Sequence, residues 1–192
     1  MQIHIIRHGM TSAIEKGLYY GQTDLPLSER GISGIKDLIN QDIYPNDIGM
    51  FFTSGLCRTV ETLELIYGSI QSQAIPELKE LNLGQFEMKS HDELAGRRDY
   101  QNWINDSTGF VICPGGESRQ QFIQRIMTGF DLLLDKSRNV ENSLVVSHGG
   151  VISSIMGRLF PNVQHFYGWQ PEPGRGYTLI YKQSILKEYK EI

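Results

Sequence analysis

The chain has 192 residues, 40% hydrophobic and 21% charged, a composition that suits one globular domain with a full core and contains no repeat, linker or low-complexity tract. Its formal net charge of −4 argues against a nucleic-acid partner, so any anion site must be local. Cys57 and Cys113 form neither a metal-type nor a disulfide pattern, no apolar run is long enough for a membrane span, and no secretory leader is apparent, so a reducing cytoplasm is the expected location.

Ile3-His4-Ile5-Ile6 is an apolar, β-branched run that predicts a buried strand, and Gly9 lets the backbone turn as it leaves the sheet. Between them, Arg7 and His8 stand where open α/β sheets place ligands, at the carboxyl end of a strand. A guanidinium can grip a phosphoryl group by two parallel hydrogen bonds, and a neutral imidazole can attack phosphorus. Taken alone, the pair is more often just exposed polar surface. From Met10 to Pro26 there is no periodicity, and Gly17, Gly21, Asp24 and Pro26 predict a long loop, packed through Tyr19 and Tyr20. Ser28 then opens a helix with Ile32, Ile35, Leu38 and Ile39 on one face.

Residues 48–53 predict a second strand, ending in Ser54-Gly55 and passing at once into a helix. Val60, Leu63, Leu65 and Ile66 carry its apolar face and Gly68 stops it. Arg58 lies in its first turn, where the helix dipole disfavours a cation. It is either a solvated side chain or it shares one anion with the helix N-terminus. Residues 78–81 read as extended, followed by a turn at Gly84, with Glu77, Glu80 and Glu87 nearby. Residues 90–105 predict one or two short helices carrying Arg97, Arg98 and Trp103, and the stretch 88–113 is expected to roof a pocket.

After Pro114-Gly115-Gly116, Ser118 and Gln121 form a capping box. The helix it opens shows Phe122, Ile123, Ile126, Met127, Phe130, Leu133 and Leu134 as one stripe. Leu144-Val145-Val146 is a third buried strand. It ends in Ser147-His148-Gly149-Gly150 and enters a helix over 151–159, which repeats the His8 arrangement. Residues 177–181 form a last strand. Alternating strands and helices predict an α/β fold: residues 1–192 as a single-domain, three-layer α/β/α sandwich with a mostly parallel central sheet. Three strand ends would then bring Arg7-His8, Ser54–Arg58 and His148 together, a phosphate site.

In five ordered motifs the chain resembles the histidine phosphatase superfamily, in its phosphoglycerate-mutase-like branch. These are Arg7-His8-Gly9 with the loop 21–28, Ser54–Thr59 with Thr62, Leu78-Lys79-Glu80 with 84–87, Pro114–Ser118, and Ser147–Gly150. The resemblance implies His8 as the nucleophile that takes up the phosphoryl group. It implies Arg7, Arg58 and His148 as phosphate-binding groups and Glu80 as proton donor to the leaving alcohol. Substrate contacts are expected from Arg7, Thr11, Tyr20, Gly21, Gln22, Arg58, Glu80, His148 and Gly149. Two guanidiniums and an imidazole supply the charge that phosphoryl transfer needs, so no metal and no cofactor are expected. Met88 stands where the family usually has glycine, Met10 where it often has Glu or Gln, and Ile14 where an Asn commonly binds phosphate.

The expected activity is a metal-independent phosphomonoesterase acting through phosphohistidine on a small metabolite. The short chain and the loop Tyr20-Gly21-Gln22 resemble the α-ribazole phosphatases. A phosphoglycerate mutase is the alternative, although those enzymes carry an extra segment after the acid motif. A catalytically silent regulatory module and a metallohydrolase built on His4, His8, His148 and Glu80 are weaker alternatives, the latter because two arginines in one pocket repel a cation. The only expected partner is a small phosphomonoester, with no membrane or nucleic acid, and the sequence leaves the oligomeric state open.

Overall fold

The computed structural model describes residues 1–192. β1 (Gln2–Arg7) is buried from Ile3 through Ile6, as its β-branched run requires. A four-residue helix α1 (Ser12–Glu15) follows, with the Thr11 side chain accepting its Ile14 N–H, so the stretch from Met10 to Pro26 is less irregular than its sequence suggests. α2 (Glu29–Asn40) is capped by Ser28. β2 (Met50–Thr53) leads through Leu56 into α3 (Cys57–Tyr67). The buried residues of α3 are Arg58, Thr59, Thr62 and Leu63. Val60, Leu65 and Ile66 are only half-buried, because a polar cluster of the site occupies the inward face.

β3 (Gln73–Ala74) is a two-residue edge strand. Residues expected to be extended near Leu78 instead form a 3-10 turn, Pro76–Leu78, with Pro76 at its start, where a proline's missing N–H costs nothing. A second such turn, Gly84–Phe86, precedes α4 (His91–Leu94) and α5 (Arg98–Ile104). α6 (Arg119–Lys136) begins at the Ser118–Gln121 capping box, a motif worth about 1 kcal/mol. Its stripe is buried at Phe122, Ile126, Phe130 and Leu133, but Ile123 is exposed and faces a cavity. β4 (Asn142–Ser147), α7 (Gly149–Leu159), a 3-10 turn (Phe166–Trp169) and a hairpin of β5 (Gly176–Lys182) and β6 (Ile185–Glu191) complete the chain. The strand expected to be last is therefore followed by another.

The six strands lie in the order β3-β2-β4-β1-β5-β6, parallel from β3 to β1 and antiparallel at β5 and β6. Strand alternation divides the apolar residues between two faces. Ile3, Ile5, Phe52 and Val145 pack under α6 and α7, while Ile6, Leu144 and Val146 pack with Leu63 of α3. A separate cluster of Leu83, Phe86, Leu94, Tyr100, Trp103 and Cys113 sits within the excursion between β3 and α6. No helix is long and apolar enough to cross a membrane.

Candidate active site

Parallel register builds the site. Arg7 on β1 pairs with Ser147 on β4, so His8 and His148 leave adjacent strands at one level, with ring centroids 5.2 Å apart. Thr53 on β2 pairs with Val146, which brings Ser54 and the start of α3 beside them. All three strand ends face one cavity of about 740 Å3. Arg7, His8, Tyr20, Arg58, Glu80 and Gly149 line it, whereas Thr11, Gly21, Gln22 and His148 stand behind its wall.

His8 is 3% exposed, and its Nδ1–H donates to its neighbour's carbonyl, Gly9 O, at 2.6 Å. A carbonyl only accepts, so the neutral ring keeps its lone pair on Nε2. The Tyr20 hydroxyl donates to that nitrogen at 3.4 Å. Burial holds the His8 pKa well below the ordinary imidazole range; the Arg58 charge adds to this, and the bond to Gly9 opposes it. His8 is thus neutral, the form a nucleophile needs.

Arg58 is fully buried. Its Nη1 donates to Thr23 O at 3.0 Å and its Nη2 to Gly21 O at 2.5 Å and to His148 Nδ1 at 3.2 Å. Guanidinium nitrogens only donate, so His148 accepts at Nδ1 and gives its Nε2–H to Ser54 Oγ at 2.8 Å. Burial first, then Arg58 and His8, lowers the His148 pKa and keeps that ring neutral too. Arg7 donates from Nη1 to Pro171 O at 2.8 Å. The Nε–H groups of the half-buried Arg7 and the buried Arg58 have no acceptor within the protein, so each cation keeps an unsatisfied donor beside the cavity it lines.

Glu80 completes the floor. Its Oε2 accepts from Gly150 N at 2.9 Å at the start of α7, and its Oε1 accepts from Leu81 N at 2.9 Å. Glycine at 150 leaves room for this approach, since a Cβ there would lie 2.5 Å from Glu80 Oε1 and push the carboxyl group aside. Gly21 is required for a similar reason, because a side chain would collide with the Leu81 backbone. Gln22 donates from Nε2 to Glu80 O at 3.2 Å.

Several supporting residues lie within the sequence motifs, but their roles could not be read there, because their partners lie far along the chain. Glu87 accepts from Gly21 N, Gln22 N, Thr23 N and Leu83 N, and so fixes the loop whose carbonyls hold Arg58. Asp24 accepts from Cys57 N at 2.8 Å and caps α3 from that same loop. Thr62 accepts from Gly9 N at 3.0 Å and donates to Arg58 O at 2.7 Å. Met88 adopts φ +60°, a left-handed conformation that explains why glycine suits this position.

Two guanidiniums, one buried and one half-buried, a neutral histidine with its lone pair free, and a carboxyl group at the carboxyl ends of parallel strands define an enzyme that handles phosphoryl groups. The chain belongs to the histidine phosphatase superfamily (branch 1), whose family model matches residues 3–182. An adenosylcobalamin/alpha-ribazole phosphatase of Escherichia coli strain K12 is 36% identical over 83% of this chain and 79% of its own length. The crystal structure of the alpha-ribazole phosphatase from Shigella flexneri superposes with a TM-score of 0.85 at 30% identity, covering 97% of this chain and 93% of that chain. Phosphoglycerate mutase-like protein 4 of Arabidopsis thaliana is 27% identical over 85% of this chain and 73% of its own. The chain is a phosphatase, and the mutase alternative is the less favoured one.

Proposed function

We propose that residues 1–192 act as one unit that hydrolyses a nucleoside-type phosphomonoester, α-ribazole phosphate or a near analogue, through phosphohistidine at His8. The observation that carries this reading is the joining of two chemistries in one cavity. The charged floor of Arg7, His8, Arg58 and Glu80 opens directly onto walls that include Leu18, Tyr19, Leu81, Trp103, Phe122 and Phe166. At about 740 Å3 the space suits a phosphate attached to a large, flat, apolar body and is far larger than a three-carbon phosphoglycerate requires. The names of the relatives in Escherichia coli and Shigella flexneri support the same substrate class.

In the first step the His8 Nε2 lone pair forms the N–P bond, the P–O bond to the alcohol breaks, and Glu80 protonates the leaving oxygen. In the second, Glu80 takes a proton from water, the water oxygen bonds phosphorus, and the N–P bond breaks. Arg7 and Arg58 hold the phosphoryl oxygens through both steps. His148 orients Arg58 and adds no charge to His8. A metal is unnecessary to this scheme, since the two guanidiniums supply the positive charge. The free thiols of Cys57 and Cys113 support a cytoplasmic location.

The test combines a panel of phosphomonoesters, including α-ribazole phosphate and 3-phosphoglycerate, with early acid quenching. We expect phosphate release to be fastest with the aromatic nucleotide, unchanged by chelators, and accompanied by an acid-labile, alkali-stable phosphoryl group that His8→Ala abolishes. Full activity in His8→Ala overturns the mechanism. Preference for 3-phosphoglycerate, with transfer of its phosphoryl group, overturns the substrate reading.

A further inference from the structure

We propose that the Tyr20 hydroxyl is a catalytic hydrogen-bond donor, one that rests on the lone pair of His8 Nε2 and passes to a phosphoryl oxygen as the N–P bond forms. This deepens, and depends on, the phosphohistidine reading above. The direction of every proton in the local chain of hydrogen bonds is fixed. Thr11 is fully buried and donates from Oγ1 to Tyr20 Oη at 2.9 Å. Thr11 is itself set by α1, since its Oγ1 accepts from Ile14 N. With Thr11 as donor, the phenol hydrogen is free to point the other way. It meets His8 Nε2 at 3.4 Å, the nitrogen that must accept because Nδ1–H is committed to Gly9 O.

The ring of Tyr20 is held as well. The Arg58 guanidinium carbon lies over it at 4.8 Å, so the phenol and one of the phosphate-binding cations form a single unit. Burial raises the phenol pKa while Arg58 opposes the rise, which leaves Tyr20 a neutral donor. The bond to Nε2 is long, hence weak and easily exchanged. A phosphorus atom in position for attack stands about 3–3.5 Å from the nucleophile. It therefore enters the space beside Oη, and an oxygen of the phosphoryl group comes within its reach. The neighbouring wall at Ile14 offers no donor of its own.

The exchange needs no proton transfer from Tyr20. The His8 lone pair becomes the N–P bond, the electrons of the P–O bond leave on the alcohol oxygen, and that oxygen takes its proton from Glu80. Tyr20 keeps its hydrogen throughout and changes only its acceptor, from a neutral nitrogen to an anionic oxygen, where a hydrogen bond is stronger.

Tyr20→Phe is the test, because it keeps the ring on Arg58 and removes only the donor. With p-nitrophenyl phosphate in rapid-quench experiments, phosphohistidine should form about 10- to 100-fold more slowly than in the wild type, the usual worth of one donor to a charged group. Orthovanadate, which mimics five-coordinate phosphorus, should lose a similar factor in affinity, while inorganic phosphate loses less than about threefold. The vanadate-to-phosphate ratio is measured on folded, ligand-binding protein, so lowered stability does not mask the result. A wild-type rate of adduct formation in Tyr20→Phe, or an unchanged ratio, overturns the role of Tyr20 alone. Absence of phosphohistidine in the wild type overturns the His8 reading, and this proposal with it.

Discussion

A guanidinium cannot accept a hydrogen bond and a carbonyl cannot donate one; these two facts order the protons around His8 and His148. They leave one free lone pair, His8 Nε2, facing the cavity that Glu80 also lines, and Glu80 is the acid of the proposed mechanism. Glu77 and Glu87 are the competing acids, and their surroundings favour Glu80. Glu87 is spent on four backbone N–H groups of two segments, and Glu77 lies outside the cavity lining. Glu80→Gln should therefore slow alkyl phosphates by on the order of 10²–10⁴, the usual contribution of a general acid. p-Nitrophenyl phosphate should suffer far less, because its leaving group needs little protonation. Steady-state kinetics on both esters checks this; equal losses would mean that Glu80 does not protonate the leaving group or that breakdown of phosphohistidine limits turnover, and a burst of nitrophenol distinguishes the two. Glu87→Gln should lower both activities together through the loop that holds Arg58. The acid motif contained both Glu80 and Glu87, but nothing local showed what Glu87 holds, since its contacts with Gly21 and Gln22 reach more than sixty residues away.

The element that carries Glu80 is not a strand or a helix, and something must hold it still. Arg125 on α6 does so. It donates from Nη1 to Glu77 O at 2.7 Å and Lys79 O at 2.9 Å, from Nη2 to Glu80 O at 3.3 Å, and it forms an ion pair with Glu117. Glu117 in turn accepts from Asn82 N at 2.8 Å, so both sides of the acid-bearing segment are tied to the start of α6. Arg125→Lys keeps the charge and loses the planar fork. The expected cost is about 2 kcal/mol, roughly 4–8 °C in melting temperature for a chain of this length. Turnover of alkyl phosphates should fall more than that of p-nitrophenyl phosphate, since the displaced group is the acid; a loss confined to melting temperature would reduce Arg125 to a stability role. Elements with strong periodicity or caps, such as β1, α2, α6 and β4, were readable from sequence. β6 was not, because its charged, mostly exposed sequence lacks the alternation of a half-buried strand, and β3 is two residues long. Ile123 broke the α6 stripe for a functional reason: it faces the cavity where periodicity expects core.

At the scale of the whole molecule, the order β2-β4-β1 makes neighbours of three strand ends that are distant in the chain. Local sequence shows that each end carries suitable chemistry; it does not encode which strands lie side by side, and the convergence follows from the fold. The same sheet buries a histidine that takes no part in the site. His4 is 4% exposed in mid-β1, with Nδ1 2.8 Å from Thr178 Oγ1 on β5, and burial lowers its pKa to about 4. In the unfolded chain it titrates near 6.5. Between these values the unfolded chain binds a proton that the folded chain does not, so stability falls as the pH falls from about 6.5 towards 4. The full effect is on the order of 3 kcal/mol, since each pKa unit corresponds to about 1.4 kcal/mol. His8 and His148, also held neutral by burial and Arg58, act in the same direction. Urea unfolding at pH 7 and pH 4.5 should thus show a marked acid loss in the wild type. His4→Gln keeps a polar group for Thr178 and removes one titration, so its loss over the same interval should be smaller by about 2–3 kcal/mol. Parallel losses in the two proteins would show that His4 is protonated in the folded sheet.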